Sequence, residues 1–258
     1  AEGVQHLSTT AARLLHVSRQ ATDEAAVRAE CEKRGVDYAY VPAGVRLSDC
    51  KVLAMDMDST LINIECIDEI AAAAGLKAQV AAITEAAMRG EITDFAESLT
   101  RPVALLRGVP VQALEQVYRD KLRLNPGADW LLASAQAAGI RTLLVSGGFT
   151  FFTERLRERL GLDETHANTL EVENGVLTGR VLGGILDAQG KADRLRAFAA
   201  AHGAAPEQII AIGDGANDLK MLALAGYSVA YRAKPVVRAQ ARYALNVAPL
   251  DGILNWFD

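Results

Sequence analysis

Asp56 and Asp58 stand one residue apart, directly after the apolar run Val52–Met55. Ser146, Gly147 and Gly148 close a second apolar run, and Asp214, Asn217 and Asp218 follow a third. In open α/β sheets ligands bind outside the carboxyl ends of the strands, so three such runs would gather these groups in one crevice. Carboxylates held that close repel: two unit charges roughly 4 Å apart interact by about 4 kcal/mol at an effective dielectric of about 20. Such a cluster calls for a cation or for shifted protonation. Oxygen donors without His or Cys favour Mg²⁺, and Mg²⁺ draws in phosphate. A carboxylate beside the metal can attack phosphorus. A second carboxylate can protonate the leaving oxygen and then activate water. On this reading Asp56 is the nucleophile and Asp58 handles protons. Ser146, the Gly147 N–H and Lys191 are candidates to hold the phosphoryl group. Each signal alone has a plainer reading. A lysine near a helix start is usually solvated, Ser-Gly-Gly is usually a turn, and Gly-Asp-Gly lacks the third glycine of a dinucleotide fingerprint.

The elements that must position these groups are legible as alternation. "KVLAMDMD", "RTLLVSGG", "QIIAIGDG" and "YSVAY" read as buried parallel strands. Helical patterns fall at Ala128–Ala138, Phe151–Leu160, Ala192–His202 and Ala216–Ala225. The expected fold class is α/β, a doubly wound parallel-sheet core. "LEVENGVLTGRV" reads as a hairpin turning at Asn174-Gly175. Roughly eighty residues separate the first strand from the second, where a crossover needs about a dozen. The excess reads as an inserted helical cap over residues 64–127, leaving 51–63 and 128–258 as the core. Residues 1–50 read as a small N-terminal α+β unit. "RLLHVS" and "VDYAYVP" are its predicted strands, around a helix in "TDEAAVRAECEKRG" that is closed by Gly35. So small a unit should lean on the rest of the chain or on a partner, which leaves room for a homodimer.

The net charge of −5 argues against nonspecific nucleic-acid binding. The three cysteines, Cys31, Cys50 and Cys66, have no paired spacing and fit a reducing cytoplasm. They form no zinc pattern with His6, His16, His166 and His202. No apolar run suits a membrane span, and no secretory signal is expected at the start.

Taken in order, "DMDST", "LLVSGG", Lys191 and "GDGAND" resemble the four motifs of the haloacid dehalogenase superfamily of phosphohydrolases, over about Lys51 to Asp258. The resemblance implies phosphorylation of Asp56. It implies Mg²⁺ held by Asp56, the backbone carbonyl of Asp58, and Asp214, with Asn217 and Asp218 supporting the site. "AMDMDSTLINIECIDEIA", "LVSGGFTFF" and "IGDGANDLKML" look closer still to the phosphoserine phosphatases. That likeness implies hydrolysis of L-phosphoserine, with Glu65 receiving the substrate ammonium and Met88 and Phe95 shielding the site. It also implies a cap arginine for the carboxylate. Here the corresponding stretch is "SLTRPV", with Pro102 where the arginine is expected and Arg101 one residue early. On a regular helix one residue is a rotation of about 100°. A kink at Pro102 would have to restore the aim of Arg101.

Two other readings stay open at this point. One keeps the chemistry but assigns another small phosphomonoester, or phosphoryl transfer to an alcohol other than water. The other is a receiver-like switch whose aspartyl-phosphate is a signal, against which the insert and Asp58 argue.

Overall fold

The apolar runs do become strands of one sheet. The computed structural model describes residues 2–18, 23–88 and 94–258, without the side chains of residues 85, 87, 88 and 95. In chain order the elements begin with strands β1 (Gly3–His6) and β2 (Ala12–Leu15), helix α1 (Glu24–Arg34) and strand β3 (Val52–Met55). Four helices follow: α2 (Cys66–Ala73), α3 (Lys77–Met88), α4 (Phe95–Leu105) and α5 (Gln112–Gln116). Next come α6 (Ala128–Ala137), β4 (Arg141–Phe149), α7 (Thr150–Leu160), β5 (Glu164–Glu173), β6 (Val176–Leu182) and α8 (Ala188–Ala201). The chain closes with β7 (Ile209–Gly213), α9 (Leu219–Leu222), β8 (Tyr227–Tyr231), α10 (Pro235–Gln240) and β9 (Tyr243–Leu245).

Seven strands form one sheet in the order β6-β5-β4-β3-β7-β8-β9. All neighbours pair parallel except β5 and β6, the expected hairpin. The chain starts at the central β3, builds outward through β4 and β5, then returns to build the other half from β7. β3 is therefore the topological switch point, and its carboxyl end opens into a crevice. Both faces of the sheet are covered. Leu53 and Met55 join one buried cluster with α6 and α7 residues such as Leu131 and Phe152. Val52 and Ala54 join the other, with Leu195 and Phe198 of α8. Burial on both faces is why these strands read as unbroken apolar runs rather than as alternation.

The helices α2–α5 pack into the first of these clusters through Ile70, Val80, Val103 and Leu114. Backbone bonds from Gly108 N to Leu177 O (2.8 Å) and from Val111 N to Gly175 O (3.0 Å) tie this segment to the β5–β6 hairpin.

The N-terminal unit departs from expectation in two ways. "VDYAYVP" is not a strand. Asp37 instead caps the chain after β9, accepting the N–H groups of Asn246, Val247 and Ala248 at 2.8–2.9 Å. β2 overlaps only the start of the expected "RLLHVS" strand, beginning one residue before it, and pairs antiparallel with β1, whose four residues are too short to show a period. Arg13 fastens this hairpin to the far end of the chain, donating to the carbonyls of Asn255 and Phe257 and pairing with Asp258. β9 was also not anticipated, being only three residues long.

Candidate active site

The turn after β3 is built to turn two aspartates into one space. Ser59 adopts the left-handed region (φ 56°), an arrangement that costs a non-glycine residue on the order of 1 kcal/mol. The buried Asn125 amide holds the turn, donating to the carbonyls of Thr60 (2.8 Å) and Ile62 (2.9 Å) and more loosely to Ser59 (3.3 Å). Thr60 Oγ1 then donates to Asp214 Oδ1 at 3.0 Å, joining the ends of β3 and β7.

A cavity of about 210 Å³ opens at these strand ends, lined by Asp56, Asp58, Glu65, Ser146, Gly147, Asp214 and Asn217. A larger hollow of about 530 Å³, lined by Pro42, Tyr227 and Arg242 among others, contains none of the strand-end carboxylates. Behind the active-site cavity lies Lys191, fully buried. Its ammonium donates to Asp56 Oδ1 at 2.6 Å and to Asp218 Oδ1 at 2.7 Å. Asp218 Oδ2 accepts the N–H groups of Asp214 and Gly215. That capture produces a 3₁₀ turn at Ala216–Asp218 in place of the first turn of the expected helix. Asp56 Oδ2 makes no hydrogen bond to a described residue and is open to the cavity.

The electrostatics follow from this crowding. Carboxylate oxygens of Asp56, Asp214 and Asp218 lie within 4.8 Å of one another, with one ammonium among them. Burial would lower Lys191, but Asp56 and Asp218 more than reverse this and hold it charged. Burial, then the negative charges of Asp218 and Asp214, push the Asp56 carboxyl up against the pull of Lys191. Asp214 is pushed up to about 6, by burial first and then by Asp218, while the Thr60 hydroxyl opposes the shift. An excess of buried negative charge with oxygen-only donors fits a hard divalent cation.

Asp58 is set apart from that cluster. Its Oδ1 accepts the Cys66 N–H at 3.2 Å. Burial and the neighbouring Glu65 raise it to about 7, while the Cys66 contact opposes them. Glu65 accepts a 2.6 Å hydrogen bond from the Ser59 hydroxyl. Ser146 Oγ accepts the Gly148 N–H at 2.9 Å, which leaves its own proton to donate into the cavity. Asn168 fixes the strand end by donating to the Gly147 carbonyl at 2.8 Å.

Arg101 is not brought to this cavity. α4 continues through Pro102, so the one-residue offset persists as a rotation of about 100°. Ser98 and Leu99 face the cavity. Pro102 lies four residues after Ser98 on the same helix face and is buried. Arg101 instead pairs with Glu97 at 3.4 Å, its side chain 55 % exposed. The side chains of Met88 and Phe95 lie outside the described residues. Sequence reasoning missed Thr60, Asn125 and Lys234. Thr60 sits inside the "DMDST" motif and could have been found there. Asn125 and Lys234 carry no local signal.

A switch-point crevice with a carboxylate pair at its first strand, a Ser-Gly-Gly at its second and a buried lysine defines a class of hydrolase. The chain belongs to the haloacid dehalogenase-like hydrolases, whose family model matches residues 53–223. Within that family it is similar to the phosphoserine phosphatases. It is 58% identical to the phosphoserine phosphatase of Polaromonas sp. over 215 residues, which are 82% of this chain and 91% of that protein. Among solved structures, a HAD family hydrolase from Salmonella enterica serovar Typhi superposes with a TM-score of 0.85 at 38% identity, covering 92% of this chain and 81% of that one. A structure described as a phospho-aspartyl intermediate analogue of phosphoserine phosphatase superposes with a TM-score of 0.75 at 36% identity, covering 81% of this chain and 99% of that one.

Proposed function

We propose that this protein is a Mg²⁺-dependent phosphoric monoester hydrolase that converts L-phosphoserine to serine and phosphate through an aspartyl-phosphate. The observation that carries this reading is the juxtaposition of Asp56, with one unpartnered oxygen facing the cavity, and Asp58, raised to about 7 beside it. Residues 51–63 and 128–258 serve as the phosphatase core, 64–127 as the helical cap and 1–50 as an appendage.

In the first step Asp56 Oδ2 attacks phosphorus as the bond to the serine oxygen breaks. Asp58, protonated, gives its proton to that departing oxygen. In the second step Asp58, now ionised, takes a proton from water as the water attacks phosphorus, releasing phosphate and restoring Asp56. A value near 7 suits Asp58 to both roles at neutral pH. Lys191 positions Asp56 Oδ1 and thereby directs Oδ2 outward, while its positive charge and the Ser146 hydroxyl face the phosphoryl oxygens. Asp56, Asp214 and the Asp58 carbonyl would hold Mg²⁺, with Asn217 and Asp218 in support. When bound, the ion supplies positive charge to the phosphoryl group and to the carboxylates facing it. Glu65 receives the substrate ammonium. Among the described residues no helix is long and apolar enough to cross a membrane. A cytoplasmic location, with no nucleic-acid or membrane partner, belongs to the same reading, which leaves room for a homodimer.

Phosphate release with Mg²⁺ from L-phosphoserine, compared with glycerol phosphate and p-nitrophenyl phosphate, tests the substrate. A strong phosphoserine preference is expected. Equal rates on all three would favour another small phosphomonoester, the reading that Pro102 and the outward Arg101 support.

Two variants probe the geometry. A Cβ at position 148 would lie 2.6 Å from Asp58 Oδ2 and 3.0 Å from Ser146 Oγ. The same Cβ would lie 2.9 Å from the terminal methyl of the buried Met57. Gly148→Ala is therefore expected to lower kcat by about a hundredfold through displacement of Asp58, with some loss of stability from the crowded Met57. An unchanged kcat would mean that Asp58 tolerates the shift. Glu65→Gln is expected to raise KM for phosphoserine by about tenfold or more, the loss of a charge-assisted bond, and to spare p-nitrophenyl phosphate. Equal losses on both would remove Glu65 as the ammonium receptor.

A further inference from the structure

Phosphoserine carries three ionic groups, and the reading above partners only two. Its phosphate faces Ser146, Gly147 and Lys191, and its ammonium faces Glu65. The α-carboxylate still needs a cation. Arg101 is turned to Glu97 and Pro102 carries no charge. Lys191 is buried between Asp56 and Asp218, out of reach of the amino-acid end.

Among the described residues lining the cavity, the one cationic side chain is Lys234. It is exposed, and its ammonium makes no hydrogen bond or ion pair with a described residue. Its backbone, by contrast, is held on both sides. The Lys234 N–H donates to the Asp214 carbonyl at 3.1 Å, and the Lys234 carbonyl accepts the N–H groups of Val237 (2.9 Å) and Arg238 (3.1 Å). Pro235 follows and stiffens the chain at the start of α10. The result is a fixed base with an unengaged ammonium at a residue that lines the cavity. Burial raises the Glu65 carboxyl and the Lys234 charge opposes that rise, so the two stand within electrostatic reach of each other. One anion and one cation at the same end of a cavity complement the zwitterion of an α-amino acid.

We propose that Lys234 is a specificity residue that receives the α-carboxylate of the substrate. The proposal rests on the phosphoserine reading. It accounts for how an amino-acid substrate could be read although α4 presents no arginine to the cavity.

The test uses the full chain with Mg²⁺ and two substrates, L-phosphoserine and O-phosphoethanolamine, which differ by the carboxylate alone. The unaltered protein is expected to prefer phosphoserine. Lys234→Met should raise KM for phosphoserine by about ten- to a hundredfold, the loss of one charge-assisted contact. Its kinetics on phosphoethanolamine should not change, so the preference collapses. Lys234→Arg should retain most of it. Equal losses on the two substrates would overturn the proposal by placing Lys234 at the phosphate. A preference that survives Lys234→Met would overturn it as well, leaving the phosphoserine reading intact. Indifference of the unaltered protein to the carboxylate would overturn both.

Discussion

Asp56→Asn is expected to abolish turnover while leaving the protein folded at least as stably. The amide has no anionic oxygen to form the bond to phosphorus, so kcat should fall by at least about 10⁴-fold, the scale seen when a covalent nucleophile is removed. Stability should not suffer, because Asp56 is one of three carboxylates crowded around a single ammonium. Neutralising it relieves repulsion with Asp214 and Asp218, and the Asn oxygen can still accept from Lys191. Burial already pushes the Asp56 carboxyl up, so its ionised form is the costly one in the folded chain. A group raised in this way contributes stability below its ordinary value near 3.8 and loses it as the pH rises through the folded value. The Asn variant lacks that loss, so its relative stability should grow with pH. Phosphate release and a denaturant melt at about pH 5 and about pH 8 check the two halves separately. Measurable turnover would remove Asp56 as the nucleophile.

Lys191→Met should act in the opposite sense on stability. The lysine is fully buried and bonds two carboxylates at 2.6 and 2.7 Å. Methionine fills much of the same volume but leaves those charges without a partner. Breaking a buried ion pair from one side typically costs about 3–5 kcal/mol. The folded-state carboxyls would then be raised further, so the loss is smallest in acid, where they are protonated, and grows with pH. Activity should fall too, because the attacking carboxylate would be protonated and no longer oriented. Adding Asp218→Asn should recover part of the stability and none of the activity. Urea unfolding of the single and double variants across pH decides this. A pH-independent loss in Lys191→Met would assign the lysine to packing rather than charge.

Much of the fold was legible because its signals are local. A strand buried on both faces is an unbroken apolar run, so Val52–Met55 and Ile209–Gly213 announced themselves. The polar groups that end those runs follow at fixed spacing, and the switch-point rule brings them together without knowledge of any contact. The N-terminal "VDYAYVP" shows where the same logic stops. Its pattern suits a strand, but Asp37 is taken by the N–H groups of residues 246–248, more than two hundred positions away.

The sequence by itself determined which groups stand at the strand ends and hence the class of chemistry. Only the tertiary structure decided which of them touch and which charged side chains lie at the cavity. Lys191 meets Asp56 across 135 positions, and Thr60 meets Asp214 across 154. Arg101 faces Glu97 because α4 runs through Pro102 without correcting the one-residue offset. Lys234 lines the cavity, where its backbone is bonded to Asp214. The physical reason is one of range. Propensity and periodicity act within a few residues of the chain, whereas the aim of a charged side chain depends on the packing of elements that are neighbours only once folded.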